Sequence, residues 1–276
     1  MLDLLLFILV AFCIYIIIYL KSYWQQRKRW KLKQSKFPQP WISLLESDVY
    51  LYRKLPPNLK QELHKHIKIF LAEKTFVGHK DFVITDEVKL KIAAQACILL
   101  LGDRQNKRNY FPYLKYIYIY PEHLEGKKNQ QATANLLLGQ SSVGHKSGND
   151  GIISLSWTQV ERDSLSPNQG ENVILHEFAH QLDQEFGTAT GMPRLATLQD
   201  TLVWREIFAH EYDKHYRQVM NHQATVIDNY GATNPVEFFA VVTEAFFTKA
   251  RLLFAYHPLL YEQLQKYYGV NPVNWN

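Results

Sequence analysis

Val173-Ile174-Leu175-His176-Glu177-Phe178-Ala179-His180-Gln181-Leu182-Asp183 sets two histidines four residues apart, with a glutamate beside the first. Residues four apart on an α-helix are offset by about 40° and lie about 6 Å from each other. His176 and His180 therefore converge on one point, and a pair of neutral imidazoles there suits Zn2+. Glu177 reaches the edge of such a site and can take a proton from a water held in it. The apolar flanks predict a buried helix over about 169–186. Asn168 is the expected N-cap, Glu171 its capping-box partner and Gly187 the stop. His210, Glu211 and His215 make a contrast. Those histidines are five apart, about 140° around a helix, and do not converge. They read as solvated or packed side chains.

A catalytic zinc takes a third protein ligand and leaves a position for water. Six residues after His180, where metzincin peptidases place His or Asp, stands Phe186, which excludes that pattern. Asp183 shares the helix face of both histidines. Three ligands from one straight helix do not easily surround an ion, so Asp183 suits a hydrogen bond to an imidazole N–H better than ligation. Downstream lies Tyr230-Gly231-Ala232-Thr233-Asn234-Pro235-Val236-Glu237-Phe238-Phe239-Ala240. Asn234 reads as an N-cap and Pro235 as the first helical residue. Glu237 can then close a capping box on Asn234. It also stands beside two phenylalanines, where a carboxylate is costly without a cation or metal. Glu244, seven residues on, shares that face. It is the other candidate, as a ligand or as the group that holds a histidine.

Outward from these blocks, 276 residues with 47% apolar content suffice for one domain with a substantial core. Two cysteines, Cys13 and Cys97, have neither zinc-site spacing nor the number a disulfide framework needs. The net charge of +5 is local. Seven cations and no acid lie between Lys21 and Lys36, and residues 37–276 hold 24 cations and 25 acids. A near-neutral body does not suggest a nucleic-acid partner. From Leu4 to Leu20 every residue is apolar or Tyr. A helix of that length spans about 25 Å, near the short limit for crossing a bilayer. The flanks do not match a cleaved signal peptide, and the basic window sets the N-terminus outside and the body in the cytosol. Trp24 and Trp30 suit an interfacial collar. The expected division is an anchor at 1–20, a basic juxtamembrane linker at 21–40 and a zinc peptidase domain at 41–276.

Within the body, helices are expected over 57–73, 86–101, 197–221, 234–250 and 258–268, with strands at 115–120, 152–157 and 134–138. Residues 139–151, rich in Gly, Ser and Asn, read as a loop able to gate a cleft. The strand at 152–157 is expected to offer its edge to an extended peptide. Strands before helices, without regular alternation, argue for an α+β fold.

The two blocks His176–Asp183 and Asp228–Phe247, with Gly151–Trp157 before them, resemble the Mlc titration factor A family of zinc peptidases. They are also similar to the catalytic domain of anthrax lethal factor. The resemblance covers roughly residues 41–270. It implies a gluzincin-like fold with one Zn2+ per chain, and it selects Glu237 over Glu244 as the third ligand. It also implies that Tyr230 assists catalysis and that the substrate is a peptide or protein. The family's best-known member lacks the membrane helix, and its further metal-contacting His finds no counterpart near Gln130 and Gln131. That member binds a sugar-responsive transcriptional repressor. The alternative function is therefore a membrane-tethered regulator that binds such a protein partner, with zinc mainly structural.

Overall fold

The N-terminal apolar run continues as helix well past its last residue. Helix α1 covers Leu2–Gln34 without a break, so residues 21–34, expected as linker, are helical. The computed structural model describes residues 2–102, 109–121, 140–142, 151–166, 170–186 and 189–275. The apolar portion of α1 is exposed and long enough to cross a membrane. Its basic portion docks on the body. Arg29 grips the Glu73 carboxylate through Nε at 2.7 Å and a terminal nitrogen at 2.8 Å. The same guanidinium donates to Asn109 Oδ1 at 2.7 Å and lies 4.7 Å from the Tyr110 ring. Pro38 ends this segment by removing a backbone donor. Behind it, Phe37 stacks on His64 at 4.0 Å.

Short helices α2 (Gln39–Asp48) and α3 (Tyr50–Lys54) lead to α4 (Pro57–Glu73), which carries α1 and faces α5 (Asp86–Ile98). Helix α5 is buried on nearly every side. It yields to turns over Leu99–Leu101 and stops at Gly102, whose φ of +72° and contact with the Gly269 backbone leave no room for a Cβ.

The sheet has the order β1-β2-β4-β3, with β1 Thr75–Gly78, β2 Leu114–Tyr120, β3 Gln140–Ser142 and β4 Gly151–Ser156. The first three run parallel, and β3 is antiparallel to β4 with Ser141 opposite Ile153. Inward residues Ile117, Ile119, Ile153 and Leu155 are buried against the helices, as period-2 alternation dictates. Two expectations change here. Residues 140–142 are strand rather than loop. β4 is paired on both sides over Ile152–Ser154, so the sheet edge there belongs to β3. The expected strand at 134–138 lies outside the described residues.

Next come α6 (Trp157–Leu165), α7 (Val173–Asp183), α8 (Leu198–Met220), α9 (Pro235–Thr248), α10 (Ala250–Tyr256) and α11 (Pro258–Tyr268). The fold is mostly helical with one small sheet, consistent with α+β. The core runs from Phe70, Phe111 and Phe178 to an aromatic group of Phe246, Phe247, Tyr261 and Tyr268.

Candidate metal centre

Helix α7 starts four residues later than the sequence suggests. Its N-cap is Asn172, whose side-chain oxygen accepts from Leu175 N at 2.9 Å; Asn168 and Gly187 lie outside the described residues. The start is buried, so its unpaired N–H groups need protein acceptors. Asp163 accepts from Val173 N at 2.9 Å, and Glu244 Oε2 accepts from Asn172 N. The Asn172 amide donates to Gln95 Oε1 at 2.6 Å, and Gln95 donates to Ser164 at 2.8 Å. This buried network fixes the rotation of α7, and with it the direction of both imidazoles.

Helix α9 packs on α7 and brings the downstream block to it. Asn234 caps α9 by accepting from Val236 N at 2.9 Å and Glu237 N at 3.0 Å. The Glu237 carboxylate points to the histidines. Its Oε2 lies 3.1 Å from His176 Nε2 and 3.3 Å from His180 Nε2, and the two Nε2 atoms are 3.1 Å apart. Glu244, one turn pair deeper, takes His176 Nδ1 at 2.8 Å. That contact leaves Nε2 turned toward the cluster and selects the tautomer that can bind a metal there.

Asp183 has a different place. Its carboxylate accepts from the backbone N–H groups of Thr190, Gly191 and Met192 at 2.9, 2.7 and 2.9 Å. Gly191, at φ +75°, passes so close that a Cβ would sit 2.3 Å from Pro235 O. Asp183 thus holds the loop that lies on the first turn of α9, two residues from Glu237. Tyr230 is 43% exposed, and its ring lies 5.9 Å from that of His176. The preceding turn is held by Asp228, which accepts from Tyr230 N at 2.8 Å, and by His215 Nε2, 3.0 Å from Asp228 O. His215 is fully buried and His210 exposed, so neither joins the cluster.

Charge is concentrated here. Burial pushes the Glu177 carboxyl up to about 8; His176 opposes this, and Glu237 and Glu244 add to it. For Glu237 burial also acts upward, but both imidazoles outweigh it and bring the value down to about 2. His176 is buried, which disfavours its charge, yet Glu237 and Glu244 raise it well above the usual histidine range. Burial raises the Tyr230 phenol, with Glu237 and Glu177 adding to it, so it remains a proton donor at neutral pH.

The cluster fits a metal ion on two observations. Tetrahedral Zn2+ with bonds of 2.0–2.1 Å sets its donors about 3.3 Å apart, and the three donor separations are 3.1, 3.1 and 3.3 Å. In addition, Glu177 Oε2 is buried without a hydrogen-bond partner among the described residues. Such a carboxylate oxygen is costly unless a cation meets it. Two imidazoles and a carboxylate are a donor set that suits zinc.

A His-His-Glu cluster between two helices, beside a small mixed sheet, places the chain among metallopeptidase-like proteins. The chain belongs to the glucose-regulated metallo-peptidase M90 family, whose model matches residues 22–269. An uncharacterized protein of Synechocystis sp. is 40% identical over 262 residues, 94% of each chain. Mlc titration factor A of Pectobacterium atrosepticum is 29% identical over 244 residues, 85% of this chain and 90% of its own. Mlc titration factor A of Cronobacter sakazakii is 28% identical, covering 86% and 88%. The resemblance read from the two blocks is thus shown over most of the chain. Gln130 and Gln131 lie outside the described residues.

Sequence reasoning did not single out Asn172, Asp163 and Gln95, which orient α7. Asn172 carried a readable signal, a capping residue directly before the apolar run. Asp163 and Gln95 carried none, because their partners are distant in the chain.

Proposed function

We propose that this chain is a membrane-anchored, gluzincin-like zinc peptidase. The observation that carries this reading is the triangle of donor atoms from His176, His180 and Glu237 with the Glu177 carboxylate beside it. One Zn2+ held there would supply the Lewis acidity that brings water toward ionisation near neutral pH. Glu177 takes the proton from the attacking water and delivers it to the departing amine. Tyr230 donates its phenolic hydrogen to the oxygen on which charge develops. Glu244 acts as a positioning residue, fixing the ring of His176 through Nδ1. An extended substrate would add to the sheet at β3, the strand on the edge.

Replacing Glu237 by Ala tests the ligand set. Zinc content should fall by at least tenfold, with the fold retained. If Glu237 served only the helix cap, zinc would stay at one per chain and stability would drop by about 1 kcal/mol.

The anchor is the apolar part of α1. The seven cations that follow it set the N-terminus outside and the catalytic body in the cytosol, at a bacterial inner membrane. A second reading has one observation in its favour. Several relatives bear the name Mlc titration factor A, which speaks of titrating a protein, Mlc. On that reading this chain binds a regulatory protein partner and zinc serves structure. A fourth protein ligand in the zinc X-ray absorption spectrum would favour it, and three ligands plus water would favour the peptidase.

A further inference from the structure

A tether lets a catalytic domain roam, whereas a strut fixes its height. Helix α1 has no break between its apolar part and the segment that docks on the body. Contact with the body begins at Gln25, whose amide reaches Glu73 at 3.5 Å, and continues through the two-point grip of Arg29 on Glu73. It ends with Lys68 donating to the Ser35 carbonyl and hydroxyl. Gln25, Arg29 and Leu32 share one face of α1, and that face is turned to α4. Trp24, Arg27, Lys28 and Lys31 are exposed.

From this clamp a short path leads to the metal helix. Arg29 holds Asn109 and Tyr110, the first two of three consecutive residues at positive φ (31°, 56° and 54°, the third being Phe111). Non-glycine residues stay in that region only where their surroundings hold them. Lys74 Nζ fixes the Phe111 carbonyl at 2.7 Å. The Phe111 ring meets Phe178 at 4.8 Å, inside the His176–His180 segment. Arg29 is nine residues beyond Leu20, about 14 Å of helix. The path from Arg29 to α7, through one peptide unit and two ring contacts, adds on the order of 20 Å.

The geometry points to α1 as a rigid strut that holds the metal centre within about 35 Å of the hydrocarbon boundary, so that the substrates are polypeptide segments emerging from the bilayer, cut within about ten extended residues of it. This inference rests on the membrane-anchored peptidase reading above.

The test uses the full chain in lipid nanodiscs, compared with a variant carrying ten Gly/Ser residues between Leu20 and Lys21. The probe is one unfolded polypeptide, either free or joined to a transmembrane helix in the same disc. Mass spectrometry reads the cut positions. Energy transfer from a dye on Met220→Cys to labelled lipid headgroups reads the height of the body. The native strut should confine cuts in the joined polypeptide to one narrow window near the bilayer and give one narrow distance distribution. The insertion should widen both at least twofold and leave cleavage of the free polypeptide unchanged. Equal windows for the two proteins, or a broad distance distribution for the native chain, would overturn the strut. A native chain that cuts neither polypeptide contradicts the peptidase reading and removes the substrate class with it; the distance distribution still separates strut from tether.

Discussion

At the residue scale, the proposed chemistry depends on where four side chains point. His176 and His180 converge because they share a helix face, and that much follows from their spacing. Glu237 joins them because Asn234 and Pro235 start α9 at a fixed residue, which aims the third helical side chain at α7. On sequence alone this carboxylate had two readings, cap partner or ligand. In the fold its oxygen faces two imidazoles, while the cap is made by the Asn234 side chain. Tyr230 stands beside His176 with a protonated phenol. On the proposed mechanism, replacing it by Phe removes one donor to the developing oxyanion, so kcat should fall by about 10²–10³. Steady-state kinetics with zinc analysis checks this: zinc content and KM should change little.

At the element scale, helices were the more legible part. Helix α4 begins at Pro57, directly after Pro56, and α9 and α11 each begin at a proline after a capping or turn residue, as the sequence suggests. The start of α7 was misplaced because Asn168 with Glu171 three residues on spells a capping box, whereas the helix is capped by Asn172, which stands directly before the apolar run. The edge strand β3 was not legible, since Gln140, Ser141 and Ser142 carry no strand propensity and pair only through β4. Lys74 joins three elements in a way no local pattern reveals. It caps α4, precedes β1, and its ammonium donates to the carbonyls of Phe111 and Leu114 at 2.7 and 2.6 Å. Burial lowers its pKa to about 8, against an opposing pull from Glu73. Between about pH 8 and 10 the unfolded chain keeps this proton and the native chain releases it, so stability rises with pH. Urea unfolding should show a gain approaching 3 kcal/mol across that window, absent in Lys74→Met. Below pH 8 both states hold the proton and the term no longer varies.

At the scale of the whole molecule, the chain gathers five buried or half-buried ionisable groups from two helices into one cluster. Glu177, Glu237 and Glu244 are three carboxylates around two imidazoles, an arrangement that a dication relieves. Zinc should therefore stabilise the fold. At a free concentration of 100 times its Kd the gain is about 2.7 kcal/mol, read as a rise in Tm on adding zinc that Glu237→Ala abolishes. The apolar N-terminus and the basic window after it were plain in the composition. Their docking was not, because Arg29 meets Glu73 and Asn109 from 44 and 80 residues away. The central claim is that Glu177 serves chemistry rather than metal binding or folding. Its most direct test is peptide hydrolysis by zinc-loaded Glu177→Gln. The account predicts one zinc per chain and turnover lowered at least a thousandfold, and turnover at the native rate with zinc in place would contradict it.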